Sequence, residues 1–389
     1  MSEFRRFDPS LCHFPRPGAP LLPVPRWSEL ASGADTSGRS ALDEPAGAHF
    51  FSRGRYALHA AYGAAGVGPG GALMAPAYHC RTMLDPALAL GGPLALYRVH
   101  ADLTPDLADI AALADASRIA VRALVLPHYF GFEQPAELTR ELTAFCRSRG
   151  IMLIEDCSHA WKLALARAEL CRDAPDHAVV ASPYKYFACA DGGVLWGAAR
   201  PGGDRALVPA GWLRELAAAR SMLSQLRGPQ PPNQDGSPDS ATACGAEITE
   251  SSDQPSGLYD RAAEGKRGLA LSRWVIGRSR PAAIAEKRRA NYARWLDAVA
   301  PLTGGRALFA TMPPDCAPYM FPLVMNAPEP YFCMLKQRAM PIYRWDDMAV
   351  SDCEVASRYR LRLLHLPCHQ SLSERQIQWM ISVVTEVLQ

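Results

Sequence analysis

"RALVLPHYFGFEQPAELTRELTAFCRSRGIMLIED", residues 122–156, is the stretch whose reading decides the fold. "RALVLPHYFG" is a short apolar run rich in strand formers and predicts a buried strand. "PAELTRELTAFCRSRG" carries apolar residues at helical spacing and closes on Gly150, which predicts an amphipathic helix. "IMLIED" returns to a strand and ends in two acids.

The alternation continues outward in both directions. "GALMAP" and "PLALYRV" predict strands and "DLADIAALADA" a helix before this unit; "AVVAS" and "GGVLWG" predict strands after it. Strands alternating with helices imply an α/β fold, a mostly parallel sheet flanked by helices on both faces. Further upstream, "RGRYALHAAYGAAGV" predicts a helix opening just after Gly54. Downstream, "RPAAIAEKRRANYARWLDAVAPL" predicts a long helix with Pro281 near its start, and its "EKRRANYAR" portion reads as a solvated face. Strands around "YMFPLVM" and "MPIYRW", then a last helix capped by Ser373, complete a smaller C-terminal α/β domain.

Composition divides the chain. Residues 1–45, rich in Pro, Gly and Ser, read as an arm, and residues 46–226 form the large domain. The run 227–257 is polar and almost free of large apolar residues, so 227–266 reads as a flexible insertion. Residues 267–389 supply the bridging helix and the small domain.

Of the 389 residues, 49% are apolar and 21% charged, with a formal net charge of +2. This balance gives no argument for nucleic acid or an anionic membrane as partner. No stretch reaches the about 18 apolar residues of a membrane span, and the first twenty residues lack the apolar core of a signal peptide. The expectation is a cytoplasmic protein. The 11 cysteines include no C-x-x-C pair and no zinc-like cluster with histidine, so no metal is expected and most read as buried thiols.

In "SPYKYFACADGGVLWG", 182–197, a lone lysine stands among small, aromatic and apolar residues. Such a lysine either snorkels outward or is used as an amine, and apolar surroundings act to lower its pKa. In α/β sheets ligands bind outside the carboxyl ends of the strands. That rule brings Lys185 near Asp156, which ends "IMLIED". A carboxylate, an isolated lysine, the Ser182 hydroxyl and the glycine turn opening a helix at Gly54 are the parts needed to hold pyridoxal phosphate. Read singly, Asp156 is a helix cap, His159 a structural histidine, and Ser182-Pro183 a turn.

With these pieces in order, the chain resembles the pyridoxal-phosphate-dependent sugar aminotransferases of the DegT/StrS family, a branch of the fold type I aspartate aminotransferase superfamily. The motifs "GVGPGGALMAPAYHC", "ALVLPHYFGF", "RGIMLIEDCSHAW", "YKYFACADGGVL" and "LHLPCHQSLSERQI" carry the likeness. The resemblance implies Lys185 as the catalytic Schiff-base lysine and Asp156 as the partner of the pyridine nitrogen. It implies His159 near the cofactor's phenolic oxygen, Ser182 as a phosphate ligand, and Gly54 with Arg55 as the phosphate turn. Arg55 replaces a small hydroxyl residue of the family, and Ser182 lies three rather than five residues before the lysine. The ring-stacking aromatic of the family falls near Cys80, so Tyr78 or His79 takes that role. The resemblance further implies a homodimer that passes an amino group from a small-molecule donor, glutamate, to a keto acceptor on a nucleotide-linked sugar. A different acceptor, or a non-catalytic regulatory protein on the same fold, are the alternatives.

Overall fold

The computed structural model describes residues 2–7, 14–27, 48–171, 174–197, 207–227 and 247–389. The central sheet has seven strands. Four strands at its middle and one edge, Met152–Asp156, Val121–Pro127, Ala72–Pro76 and Leu94–Tyr97, pair in parallel, and His177–Ala181 joins them in parallel beside Met152–Asp156. Gly193–Gly197 and His49–Phe51 close the other edge antiparallel. The expected mostly parallel sheet is therefore present, with an antiparallel margin.

Helix Ala136–Ser148 buries Thr139, Leu142 and Cys146 against this sheet, the spacing of a single helix face. Gly150 follows in the left-handed region (φ 65°) and turns the chain into the next strand. Helix Leu107–Ala116 opens on Asp106, whose carboxylate accepts from the N–H groups of Ala108 and Asp109. Ser373 caps the last helix, Glu374–Leu388, in a reciprocal pair with Gln376, as its sequence suggested.

A second, three-stranded antiparallel sheet is built from Gly305–Ala307, Met320–Met325 and Leu363–Pro367. "MPIYRW" does not form the expected strand: its backbone pairs with this sheet only where Tyr343 meets His365, while the Tyr343 and Trp345 rings pack on the His365 side chain. Pro341 within it has no N–H to donate to a ladder.

A third sheet corrects the reading of both polar segments. Ser2–Phe7 lies between Met348–Ala349 and Glu247–Ser252, antiparallel to each. Residues 14–27 of the expected arm lie on the C-terminal part of the chain: Gly18 N–H donates to the Ala339 carbonyl, and Val24 N–H to Ser371 Oγ. Residues 1, 8–13 and 28–45 of that arm lie outside the described residues, as do 228–246 of the insertion.

Residues 247–266, expected to be flexible, are built structure. Ser256 donates through N–H and Oγ to the fully buried Asp85 at 2.9 and 2.7 Å, and Asp85 also accepts from Arg81 Nε at 3.0 Å. Tyr259 packs on Tyr56. The segment is fastened by hydrogen bonds to buried groups as well as by the buried Tyr259 and Ala263, and such bonds leave little trace in hydropathy. No helix among the described residues is long and apolar enough to cross a membrane.

Candidate active site

Lys185 ends the one-turn helix Pro183–Lys185, which follows the strand His177–Ala181. Asp156 ends the neighbouring strand, and helix Gly54–Ala65 begins opposite. One cleft is lined by Gly54, Arg55, Asp156, Ser182 and Lys185, together with Arg53, Cys80, Thr82, Ser158 and Tyr184. Five of the eight residues singled out from the sequence thus meet in one place.

Asp156 is buried, and its Oδ1 accepts from the Ser158 N–H at 2.8 Å. Ser182 Oγ donates to Ser158 Oγ at 2.9 Å. No side chain caps helix Gly54–Ala65. Its uncapped N-terminus is a ready receiver for an anion. A Cβ at position 54 would lie 2.1 Å from Ser182 Oγ, so only glycine lets the helix start this close to the lysine loop. Arg55 reaches the cleft, but its guanidinium donates to the Leu258 carbonyl of the 247–266 segment.

Lys185 is half-buried, with Nζ 5.5 Å from the Tyr319 ring centre. Burial acts to lower its pKa, but Tyr184, Tyr319, Cys80 and Asp156 act the other way, and the net direction is upward. The amine alone is therefore an ammonium at neutral pH, contrary to the expectation from its apolar neighbours.

Tyr78 and His79 do not line the cleft. The Tyr78 ring packs on Trp345 (4.9 Å) and its hydroxyl meets His365 Nε2 at 3.2 Å. His79 Nε2 accepts from the Ala349 N–H at 3.2 Å, which puts the ring proton on Nδ1, facing the Cys80 carbonyl. Both rings face the other way, toward partners in the C-terminal part of the chain, and Cys80 is left beside the site. His159 sits behind the cleft: Nδ1 accepts from the Phe130 N–H at 3.2 Å and the ring stacks on Tyr319 at 4.3 Å. Burial, Lys185 and His365 hold its pKa well below the usual value, so it is neutral with the proton on Nε2.

Two arginines escaped the sequence reading. Arg288, in the helix face expected to be solvated, is fully buried. Its guanidinium donates to the carbonyls of Lys185 (2.9 Å), Tyr186 (3.1 Å) and Pro318 (3.0 Å) and to Gln370 Oε1 (3.0 Å). It clamps the lysine loop to the C-terminal part of the chain. Arg53 precedes the helix N-terminus, with its guanidinium stacked over the Tyr184 ring at 4.5 Å.

Below the cleft, the fully buried Glu155 accepts from His128 Nε2 at 2.7 Å and His177 Nε2 at 2.8 Å. Burial opposes its ionisation, but the two histidines and Arg167 prevail and hold it well below the usual carboxylate range. Burial also lowers His79 to about 4 and His365 and His369 to about 3. An unfolded chain binds protons at these histidines near pH 6.5 while the folded one does not. Their contribution is therefore present above pH 6.5 and lost as pH falls toward 3–4, at up to about 1.4 kcal/mol per pH unit for each. The melting temperature is expected to be level from pH 7 to 8 and to fall steeply between pH 6 and 4. A flat profile down to pH 4.5 would contradict these buried neutral rings.

The fold is the fold type I architecture of aminotransferases, and Lys185, Asp156 and Gly54 share one of its clefts. The chain is similar in fold to a putative sugar aminotransferase, Spr1654, from Streptococcus pneumoniae: TM-score 0.60, 12% identity, covering 97% of each chain. It is also similar to S. venezuelae DesV, solved with a ketimine intermediate (TM-score 0.59, 18% identity, 94% of this chain and 90% of that one). Helicobacter pylori PseC, an aminotransferase involved in pseudoaminic acid biosynthesis, gives TM-score 0.57 and 14% identity over 88% and 86%. Residues 48–198 match the model of the DegT/DnrJ/EryC1/StrS aminotransferase family, which bears out the resemblance read from the sequence. No curated protein matches the chain by sequence. The family match and the shared fold support an aminotransferase enzyme.

Proposed function

We propose that the protein is a pyridoxal-phosphate-dependent aminotransferase that delivers an amino group, with glutamate as donor, to a keto group of a nucleotide-linked sugar. The convergence of Lys185, Asp156, Ser182 and the Gly54 turn on one cleft is the observation that carries this reading. These residues fit the cofactor: an amine to bond its aldehyde, a carboxylate for its ring nitrogen, and a helix N-terminus that a side chain at position 54 would close.

When bound, pyridoxal phosphate supplies an electron-withdrawing ring that stabilises negative charge on the carbon bearing the amino group. Asp156 holds the proton on the ring nitrogen, and the Gly54–Arg55 turn with Ser182 receives the phosphate. His159, neutral with its proton on Nε2 and set behind the cleft, would lie on the side of the ring's phenolic oxygen. Lys185 Nζ first anchors the cofactor, then, once released, takes the proton from the substrate carbon and returns it.

Asp156→Asn tests the assignment. An amide cannot hold the ring nitrogen protonated, and the lost pairing costs about 2–5 kcal/mol, a rate drop of tenfold or more. Fold and cofactor content should persist. Turnover near the parent's would leave Asp156 as a turn-forming residue only.

The same reading carries a homodimer and a cytoplasmic setting. Light scattering is expected to give about twice the 42.3 kDa chain mass; a fully active monomer overturns the dimer.

A further inference from the structure

Two arginines flank Gly54, and their guanidiniums have different fates. Arg55 is spent on the Leu258 carbonyl. Arg53 makes no side-chain cap and no hydrogen bond or close ion pair among the described residues, and is held by its stacking on Tyr184 and by longer-range attraction to the Asp191 carboxylate. The nearby carboxylate of Asp191 is already accepting from the Leu269 N–H at 3.2 Å.

Arg53 and Tyr184 line not only the cleft with Lys185 but also a second cavity of about 460 Å³ beside it. That cavity is walled by residues 20–25 and by helices Trp212–Leu226 and Ala270–Arg278. Leu22, Val24, Met222 and Val275 make it mostly apolar, and Arg53 is its one charged residue among the described lining. A half-buried guanidinium with unspent donors, on the wall the two cavities share, is a strong and specific receptor for anionic oxygen.

We infer that Arg53 is the substrate-anchoring residue, binding a phosphate or carboxylate of a substrate seated in the second cavity while the reacting carbon reaches Lys185. The inference rests on the proposed use of the cleft by pyridoxal phosphate. Tyr184 acts with Arg53 as the stacking surface that holds the fork between the two cavities. The apolar walls then take the uncharged part of the same substrate.

The test uses holoprotein with the cofactor fixed by borohydride, so that the cofactor phosphate site is filled and no turnover occurs. Calorimetric titration with methyl phosphate and, separately, with succinate asks which anion Arg53 takes. Binding of at least one probe is expected, weakened tenfold or more by Arg53→Met, which keeps the stem on Tyr184, and less by Arg53→Lys. Arg220→Met, at an exposed arginine of helix Trp212–Leu226 that lines neither cavity, is expected to leave probe binding within about twofold of the parent. Failure of both probes to bind the parent protein overturns the inference. So does equal weakening by the two methionine variants, which would mean diffuse charge. A loss confined to cofactor retention in Arg53→Met would assign Arg53 to the cofactor phosphate and likewise overturn it. Failure of borohydride to fix a cofactor on Lys185 instead strikes the underlying reading, and is scored before any titration.

Discussion

Replacing Lys185 with alanine is expected to abolish covalent cofactor attachment and to lower transamination by about 100- to 10,000-fold from lost proton transfer alone. The structure gives the reason for so large an effect. Lys185 is the one amine lining the cleft among the described residues, so no neighbour can substitute for it. Its loop is fixed by Arg288 and by the 2.9 Å contact between Ser182 and Ser158, and alanine disturbs neither. The fold and non-covalent cofactor binding through the helix N-terminus should therefore survive. Borohydride reduction with peptide mapping checks the assignment directly: the pyridoxyl label belongs on Lys185. A label on any other lysine removes this residue from the chemistry.

Arg288→Met is expected to be the most destabilising single change near the site. The arginine is fully buried and serves four main-chain carbonyls (Lys185, Tyr186, Pro318 and Tyr319) and one side-chain amide from three separate segments. Methionine fills much of the space but leaves those acceptors without donors, at a cost on the order of 3–5 kcal/mol. The melting temperature should fall by roughly 10 °C. Arg288→Lys should recover little, because an ammonium cannot reproduce the planar fork. A melting temperature within about 2 °C of the parent in the methionine variant would show that water replaces the clamp.

The parallel sheet and the meeting of Asp156 with Lys185 were legible because both follow from local pattern. Apolar runs alternate with helical spacing, and strand ends on one rim converge whatever the side chains do elsewhere. Arg288 was not legible. Its neighbours in "EKRRANYAR" resemble any charged helix face, and its partners lie about 100 residues before it and 30 and 80 after it in the sequence. Arg53 was passed over for a similar reason: its value depends on Arg55 being committed to Leu258, a contact across 203 positions. Tyr78 and His79 show the limit of carrying a role over by position. The expected aromatic stretch is present, but both rings turn toward partners in the C-terminal part of the chain and leave a thiol at the cleft.

The small sheet that holds Ser2–Phe7 between Glu247–Ser252 and Met348–Ala349 has a bearing on how the protein is made. Phe4 is completely enclosed, with the Arg81 guanidinium over its ring. A ribosome releases this strand long before either flanking strand exists. Through most of synthesis its apolar side chains and its ladder of N–H and C=O groups are therefore unmatched, a state open to chaperone capture or intermolecular pairing.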